Sequence, residues 1–530
     1  MALGDFVNYR ACLNGAVDSG DPTLVDQLRA DLTAASFTVD ALDRLWGEDA
    51  AAALHRGHRV PALRALTRAT IGETALATLA RIFVLGIPVD TAALDAALPT
   101  LTADGAEALD LVVRDGTRST GDSVRPRLDL RPYSAVDSAG VVSWWIASDL
   151  GELALGGPIP EEHVLGVGGA STTLAGLMIP SAAGSVLDLG TGCGIQALHA
   201  ARHASRVVAT DISERALQLA ALNAGLNGVN LDLRLGSLFD PVAGEQFDHI
   251  VSNPPFVITP RGLGVPSYEY RDGGMVGDGI VEAVIRGVRD HLADGGIAQL
   301  LGNWEYRGGE DALARVERWC DGLDAWVIER DQQSVEQYAE TWIRDGGIRP
   351  GAEFDRLYAA WLDDFAVRGV TRIGFGYVTL RRRPGGRSTC LARFERLDGP
   401  VGGSLGEHLA ASLDAHDWLE TNDLLASRLT VASDVTEERH YWPGDEHPAA
   451  ITLRQGAGFQ REVPCGTALA AVVGACDGTL TIGAICAAVA DLLEMDAAEL
   501  TAEIVPQLRE LVFTGFLSDA GLSDTAEEAE

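Results

Sequence analysis

The sequence predicts an α/β chain: a doubly wound, mostly parallel sheet, preceded by a helical region and followed by a small α+β region. Three observations predict this. From residue 184, runs rich in β-branched residues alternate with runs of helical periodicity, the pattern of parallel strands joined by crossover helices. The stretch VLDLGTGCG leaves the first of these strands and opens the first helix through Gly190, Gly192 and Gly194. The chain has 530 residues, 47% of them hydrophobic and 22% charged, enough for two to four domains with cores of their own.

Residues 1–115 read as helices, because PTLVDQLRADLTAA, VPALRALTRAT and ETALATLARIFVLG repeat apolar residues at i, i+3, i+4 and i+7. Over 116–150, VRPRLDLRPYSAV and GVVSWWIASDL carry β-branched and aromatic residues between turn residues and read as short strands. GGPIPEEH reads as a linker. Then SVLDLG, RVVATD, NLDLRLG, FDHIVSN and GGIAQLLGNW read as strands. GIQALHAARHA and SERALQLAALNAGLNG read as helices, the second capped by Ser213 and stopped by glycine. After AWVIERD, a helical insertion over about 334–368 precedes RIGFGYVTLRRR, a long last strand. Residues 391–530 show strand signals at RLTVAS and AITLRQG, then helical patterns at TALAAVVGAC, TIGAICAAVADLL and DAAELTAEIVPQLRELVFTGFLSD. That order suggests a small winged-helix-like domain. The expected organisation is therefore 1–158, a region for substrate recognition; 159–390, the sheet domain; 391–522, the α+β domain; and 523–530, a disordered acidic tail.

The formal net charge is −35, and all 41 basic residues are arginine. Such a field argues against tight, non-specific nucleic-acid binding, although a local basic groove stays compatible with it. Seven cysteines, Cys12, Cys193, Cys320, Cys390, Cys465, Cys476 and Cys486, are scattered without a C-x-x-C pair. An odd number in a large chain points to a reduced, cytoplasmic protein, and no metal is expected. MALGDFVNYR lacks the basic and apolar regions of a secretory signal. The apolar run at 164–187 contains five glycines and a proline and reads as loop and strand, so no membrane span is expected.

Three glycines behind Asp188 exceed what an ordinary strand-to-helix turn needs. A dinucleotide fingerprint would place its third glycine at 195, where this chain has Ile195. The pattern acid-x-Gly-x-Gly-x-Gly instead resembles motif I of the class I S-adenosylmethionine (SAM) methyltransferases, which implies a Rossmann-like sheet. In that family the loop passes under the methionine part of the cofactor, with the acidic residue near its amino end. Asp211 ends the second strand, where a carboxylate can accept two ribose hydroxyls.

IVSNPPFVITP raises a second question, since two prolines fix two φ angles and remove two donors just after Asn253. Asn253 falls at the carboxyl end of the predicted fourth strand, where open α/β sheets bind ligands. A planar amide or aryl amine is a poor nucleophile because its lone pair is delocalised. The Asn253 side-chain oxygen and the Pro254 carbonyl can each hold one hydrogen of an NH₂ group, which aims the nitrogen and favours its pyramidal form. The prolines hold those acceptors in place, and Phe256 offers a face for a flat acceptor. A bare turn is the simpler alternative.

VLDLGTGCGIQAL, VVATDISERALQLAALNAGLNGV and FDHIVSNPPF resemble the release-factor glutamine methyltransferases and their relatives, which share an Asn-Pro-Pro-aromatic motif with methyltransferases of adenine and guanine amino groups. The match covers about 160–305 and extends toward 383. It implies that Asp188, Gly190, Gly192 and Asp211 hold SAM, with Thr191, Gly194, Ile212, Ser237, Leu238 and Asn253 around it. It implies that Asn253 and Pro254 hold the acceptor nitrogen and that Phe256 packs on it. HVLGVGGASTTL resembles the segment that closes over the cofactor. Gly236 and Ser237 stand where the family often has Gly-Asp, and the region after 390 has no counterpart in the release-factor enzymes.

Three functions are compatible with these residues. The first is N-methylation of a macromolecule, at a protein glutamine or a nucleobase amine. The second is N-methylation of a small molecule, and the third is SAM binding without catalysis. The intact NPPF favours catalysis, because a binding module has no need of two oriented acceptors. Tyr268, Glu269, Tyr270, Arg271 and Asp272 would line an acceptor pocket or form a lid, or simply a loop. RRRPGGR (381–387) would grip phosphates or an acidic partner, or be solvated.

Overall fold

The computed structural model describes residues 21–68, 74–114, 122–137, 139–155, 159–261, 265, 271–386 and 391–520. Tyr268, Glu269, Tyr270, Arg387 and the acidic tail lie outside the described residues. The chain divides into two compact units, 1–175 with 182–396, and 176–181 with 397–530.

In the first unit, short helices begin at Pro22–Ala34, where proline opens the helix and the Asp21 side chain accepts from Thr23 N. Val89–Asp90, Ser123–Pro126 and Val112–Arg114 form a three-stranded sheet. A long antiparallel hairpin follows, β1 (Leu128–Asp137) and β2 (Gly140–Asp149), paired from Leu128↔Asp149 to Asp137↔Gly140. The short strands expected over 116–150 are thus largely one hairpin of two ten-residue strands. Pro132 is tolerated because β1 has no strand on its other side.

After α1 (Gly169–Leu177) comes the central sheet. Its strands are β3 (Ala183–Leu189), β4 (Ala204–Asp211), β5 (Asp232–Leu235), β6 (Phe247–Ser252), β7 (Leu292–Arg307), β8 (Asp324–Ser334), β9 (Val370–Arg381) and β10 (Ala392–Arg396). They lie in the order β10-β8-β9-β7-β6-β3-β4-β5. Only β9 runs antiparallel to its neighbours, β7 and β8. Chain order reverses between β3 and β6, which places the topological switch there. The crossover helices are α2 (Ile195–Ala200), α3 (Glu214–Leu226), α4 (Gly279–His291) and α5 (Ala312–Trp319). The insertion between β8 and β9 is helical as expected, as α6 (Val335–Asp345) and α7 (Ala352–Arg368).

Two expected boundaries differ. β10 pairs parallel with β8, so the sheet continues past residue 390, to Arg396. Residues 1–158 are not a separate body either. Leu28, Phe83 and Leu130 share one buried cluster with Ile195, Leu198 and Leu219.

The second unit contains a helix, Leu405–Thr421, that the sequence reading missed. It also has an antiparallel pair, Leu429–Val431 with Leu517–Asp519. A three-stranded antiparallel sheet runs over Val435–His440, Ala450–Gln455 and Glu462–Cys465, and helices span Thr467–Gly474, Ile482–Leu492 and Ala497–Phe513. Residues 176–181 pack here: a Cβ on Gly406 would stand 2.2 Å from the Met178 carbonyl oxygen, so only glycine fits. Among the described residues, no helix is long and apolar enough to cross a membrane.

Candidate cofactor and acceptor site

Four neighbouring strands, β3, β4, β5 and β6, end side by side. Leu189 is in register with both Thr210 and Ser252, and Asp211 with Leu235. The last residues of these strands and the loops leaving them carry the residues expected around the cofactor.

The glycine loop turns with φ of +76° at Gly190, +54° at Gly192 and +88° at Gly194, angles that β-carbon residues rarely adopt. A Cβ on Gly190 or Gly192 would meet nothing within 4 Å, so the loop presents bare backbone to open space. At Gly194 a Cβ would meet Ala220 of α3 at 3.2 Å, which adds a packing reason. Gly190 N and Thr191 N both donate to the Thr210 carbonyl at 2.9 Å. Asp188 lies beneath, fully buried. Its Oδ2 accepts from Thr191 Oγ1 at 2.6 Å and Ala197 N at 2.9 Å, while Oδ1 is buried with no partner among the described residues. Burial pushes the Asp188 carboxyl up to about 7 against those two hydrogen bonds.

Asp211 does two structural tasks. Oδ2 accepts from Gly192 N and Oδ1 from Ser213 N, each at 2.9 Å. Burial raises its pKa, and these backbone donors oppose the rise. Its own carbonyl accepts from Gly236 N at 2.9 Å, drawing Gly236, Ser237 and Leu238 to the same strand end. Leu238 has φ +47°, a strained angle for a branched side chain, and Ile212 next to Asp211 is 67% exposed. Cys193 is buried and its thiol is pushed up to about 11, which makes it unreactive.

The NPPF segment starts from the same place, because Ser252 Oγ donates to the Leu189 carbonyl at 2.7 Å. Asn253 Oδ1 is buried and has no partner among the described residues. The backbone beyond is clamped from three sides. Val257 N donates to Arg271 O at 2.7 Å and Gly273 N to Pro255 O at 3.0 Å. Asn303 Nδ2 of β7 donates to Phe256 O at 2.7 Å. Ile258 N donates to the hydroxyl of Tyr338, in α6. The Phe256 ring meets Trp342 of α6 edge-on, with centroids 6.4 Å apart.

Asn303, Tyr338 and Trp342 were missed by the sequence reading. Asn303 left a signal, a carboxamide inside the apolar strand LLGNW; the other two look like ordinary apolar positions of a helix. Arg271 and Asp272 turn out to be braces. Arg271 donates to Trp342 O at 2.9 Å and Asp345 Oδ2 at 2.6 Å, and Asp272 Oδ2 accepts from Arg261 Nη1 at 3.0 Å. The arginine tip is also engaged. Arg381 and Arg383 both bind Asp324, and Arg382 donates to the Leu292 carbonyl. That use explains these three arginines without a phosphate.

Residues 166–316 match the methyltransferase small domain family. Residues 34–126 and 410–519 match two domains of unknown function, DUF7059 and DUF7782. A ribosomal protein uL3 glutamine methyltransferase of Bradyrhizobium diazoefficiens is 35% identical over 192 residues, covering 33% of this chain and 59% of its own. A release factor glutamine methyltransferase of Xylella fastidiosa is 37% identical over 158 residues, 28% of this chain and 56% of its own. Ribosomal RNA small subunit methyltransferase C of Escherichia coli is 30% identical over 135 residues, 25% of this chain and 35% of its own. The chain thus spans less than two thirds of the length of each. A solved Thermus thermophilus 16S rRNA N2 G1207 methyltransferase, in complex with AdoMet and guanosine, aligns with 16% identity and a TM-score of 0.28 over 56% of this chain and 64% of its own. Residues 166–316 thus match the methyltransferase small domain family, and the sheet order and the glycine loop agree with that match.

Proposed function

We propose that the chain transfers a methyl group from SAM to the nitrogen of a planar amide or exocyclic amine on a macromolecule. One observation carries the acceptor half of this reading: Asn253 Oδ1, a buried carboxamide oxygen with no partner among the described residues, at the strand end beside the glycine loop. A buried acceptor without a donor costs about 1–3 kcal/mol, which an incoming N–H group would relieve.

The residues fit SAM. Gly190 and Gly192 leave room for close approach. Asp188 Oδ1, without a partner among the described residues, suits an ammonium group, Asp211 suits ribose hydroxyls, and exposed Ile212 suits the face of a base. When bound, SAM supplies a methyl group on a sulfonium, open to in-line displacement. The protein's part is to hold the acceptor nitrogen. Asn253 Oδ1 and the Pro254 carbonyl accept hydrogen bonds from its two N–H groups and stabilise the positive charge that develops there, the surplus proton leaving to water after transfer. The two prolines and the clamp from Asn303 and Tyr338 keep these acceptors from moving, and Phe256 supports the acceptor plane.

The relatives' names divide between protein glutamine and ribosomal RNA. The net charge of −35 favours a protein acceptor. The test is radiolabelled methyl transfer into a ribosome-containing lysate, with separate digestion by protease and nuclease. Label released by protease assigns a protein, label released by nuclease assigns a nucleic acid, and label in neither fraction defeats the macromolecular reading.

A further inference from the structure

An unpaired strand edge needs partners for its N–H and C=O groups. The outer edge of β2 finds them on a helix. Asn227 at the end of α3 accepts from Trp145 N through Oδ1 at 3.0 Å and donates to Trp145 O through Nδ2 at 2.8 Å. One turn earlier, Asn223 does the same for Ala147, at 2.7 and 2.9 Å. Two residues further along the strand, Asp149 N donates to Val164 O at 3.1 Å, and Val164 N donates to the Asp149 carboxylate at 2.9 Å. The match is geometric. Four helical residues rise about 6 Å, close to the roughly 6.6 Å between alternate residues of a strand. Two asparagines four apart therefore act as a partner strand.

They differ in one respect. Asn227 Nδ2 makes its further bond to its own helix, at Asn223 O. Asn223 Nδ2 makes its further bond to the Cys193 carbonyl, at 2.8 Å, inside the glycine loop. Asn223 is fully buried. Next to Cys193, Gly192 N donates to Asp211 Oδ2. A continuous set of bonds thus runs from β2 through one side chain to the loop and to Asp211.

We propose that Asn223 is a positioning residue that couples the β2 edge to the shape of the cofactor loop, so that SAM binding and order in β2 reinforce each other. This rests on the reading of 190–194 as the SAM loop. Coupling between two sites is reciprocal, so binding at the loop must be felt at β2.

Hydrogen exchange of the full chain with and without SAM tests this, together with calorimetric SAM affinities of Asn223→Ala and Asn227→Ala. SAM is expected to slow exchange at 144–149 several-fold as well as at 188–213. Asn223→Ala is expected to weaken SAM about tenfold more than Asn227→Ala, and to abolish the SAM-dependent protection of 144–149. Asn227→Ala keeps that protection. If SAM protects 188–213 and leaves 144–149 unchanged, or if both variants lose affinity equally, Asn223 is only a staple. If the wild-type chain shows neither heat nor protection at 188–213, the SAM site itself is wrong. Should Asn223→Ala fail to fold, the wild-type exchange still decides.

Discussion

The hydroxyl of Tyr338 stands 2.8 Å from the amide nitrogen of Ile258 and accepts its hydrogen, although 80 residues separate the two. The same hydroxyl accepts from Asn303 Nδ2 at 3.1 Å. Tyr338→Phe removes the acceptor and leaves a buried N–H unpaired, a cost of about 1–3 kcal/mol. The urea midpoint should fall accordingly. Acceptor turnover should fall with it, while SAM affinity measured by calorimetry stays unchanged. Loss of SAM affinity would show that the clamp serves the cofactor side.

Asn253→Ala should collapse turnover by about a hundred- to thousandfold, the usual effect of removing a preorganised polar contact to a reacting centre. SAM affinity should change only a few-fold. Asn253→Asp keeps an acceptor oxygen and should retain part of the rate. Wild-type turnover by Asn253→Ala would reduce NPPF to a turn.

Asp211→Ala should weaken SAM binding about 10- to 150-fold, the effect of hydrogen bonds to a charged group worth roughly 1.5–3 kcal/mol. Because Asp211 also holds Gly192 N and Ser213 N, Asp211→Asn is the control that keeps most of the loop's shape. Calorimetry giving wild-type affinity for both variants would remove the side chain from the site.

Asp188 predicts a pH dependence. Burial keeps its proton on to about pH 7, so the native state binds that proton more tightly than the unfolded chain does. This group's contribution to stability therefore falls as pH rises from the ordinary carboxylate range to about 7, and is level above. Asp188→Asn removes the slope. The difference between wild type and variant should change by roughly 2.5 kcal/mol from pH 5 to pH 8, read from urea melts without SAM. An equal slope in both would mean that Asp188 is ionised throughout.

A chain ended at residue 390 loses β10, and one ended at 396 keeps it. The longer chain retains Trp326 Nε1 donating to Glu395 Oε1 at 2.7 Å and Arg396 Nε donating to Glu329 Oε1 at 3.0 Å. It should melt several degrees higher, by calorimetry. Equal melting would make the edge strand dispensable.

The parallel strands were legible because both their faces are buried. SVLDLG, RVVATD and FDHIVS are therefore near-continuous apolar runs ended by turn residues. The strand ends then located Asp188, Asp211 and Asn253 without any knowledge of packing. ARFER, the edge strand, was illegible because its charges pair sideways with Glu329 and within the strand, as Arg393 does with Glu395. The helix Leu405–Thr421 was legible and overlooked, since Ser404 caps it with Glu407 three residues on. The clamp on NPPF was beyond sequence reasoning. Tyr338 and Asn303 meet Ile258 and Phe256 only through the tertiary fold, and nothing local marks their spacing.

The antiparallel strand β9 has a consequence for synthesis. It lies between β7 and β8, both made before it, so β7 lacks its outer neighbour until residue 381 has been added. Between Arg307 and that point the ribosome adds roughly 70 residues, about 4–14 s at ordinary elongation rates. Throughout that interval the nascent chain displays a long, apolar strand edge that can template pairing with a neighbouring polypeptide on the same message. Slowing translation across 308–381 lengthens that exposure, and recoding the segment for speed shortens it, with no change to the finished protein.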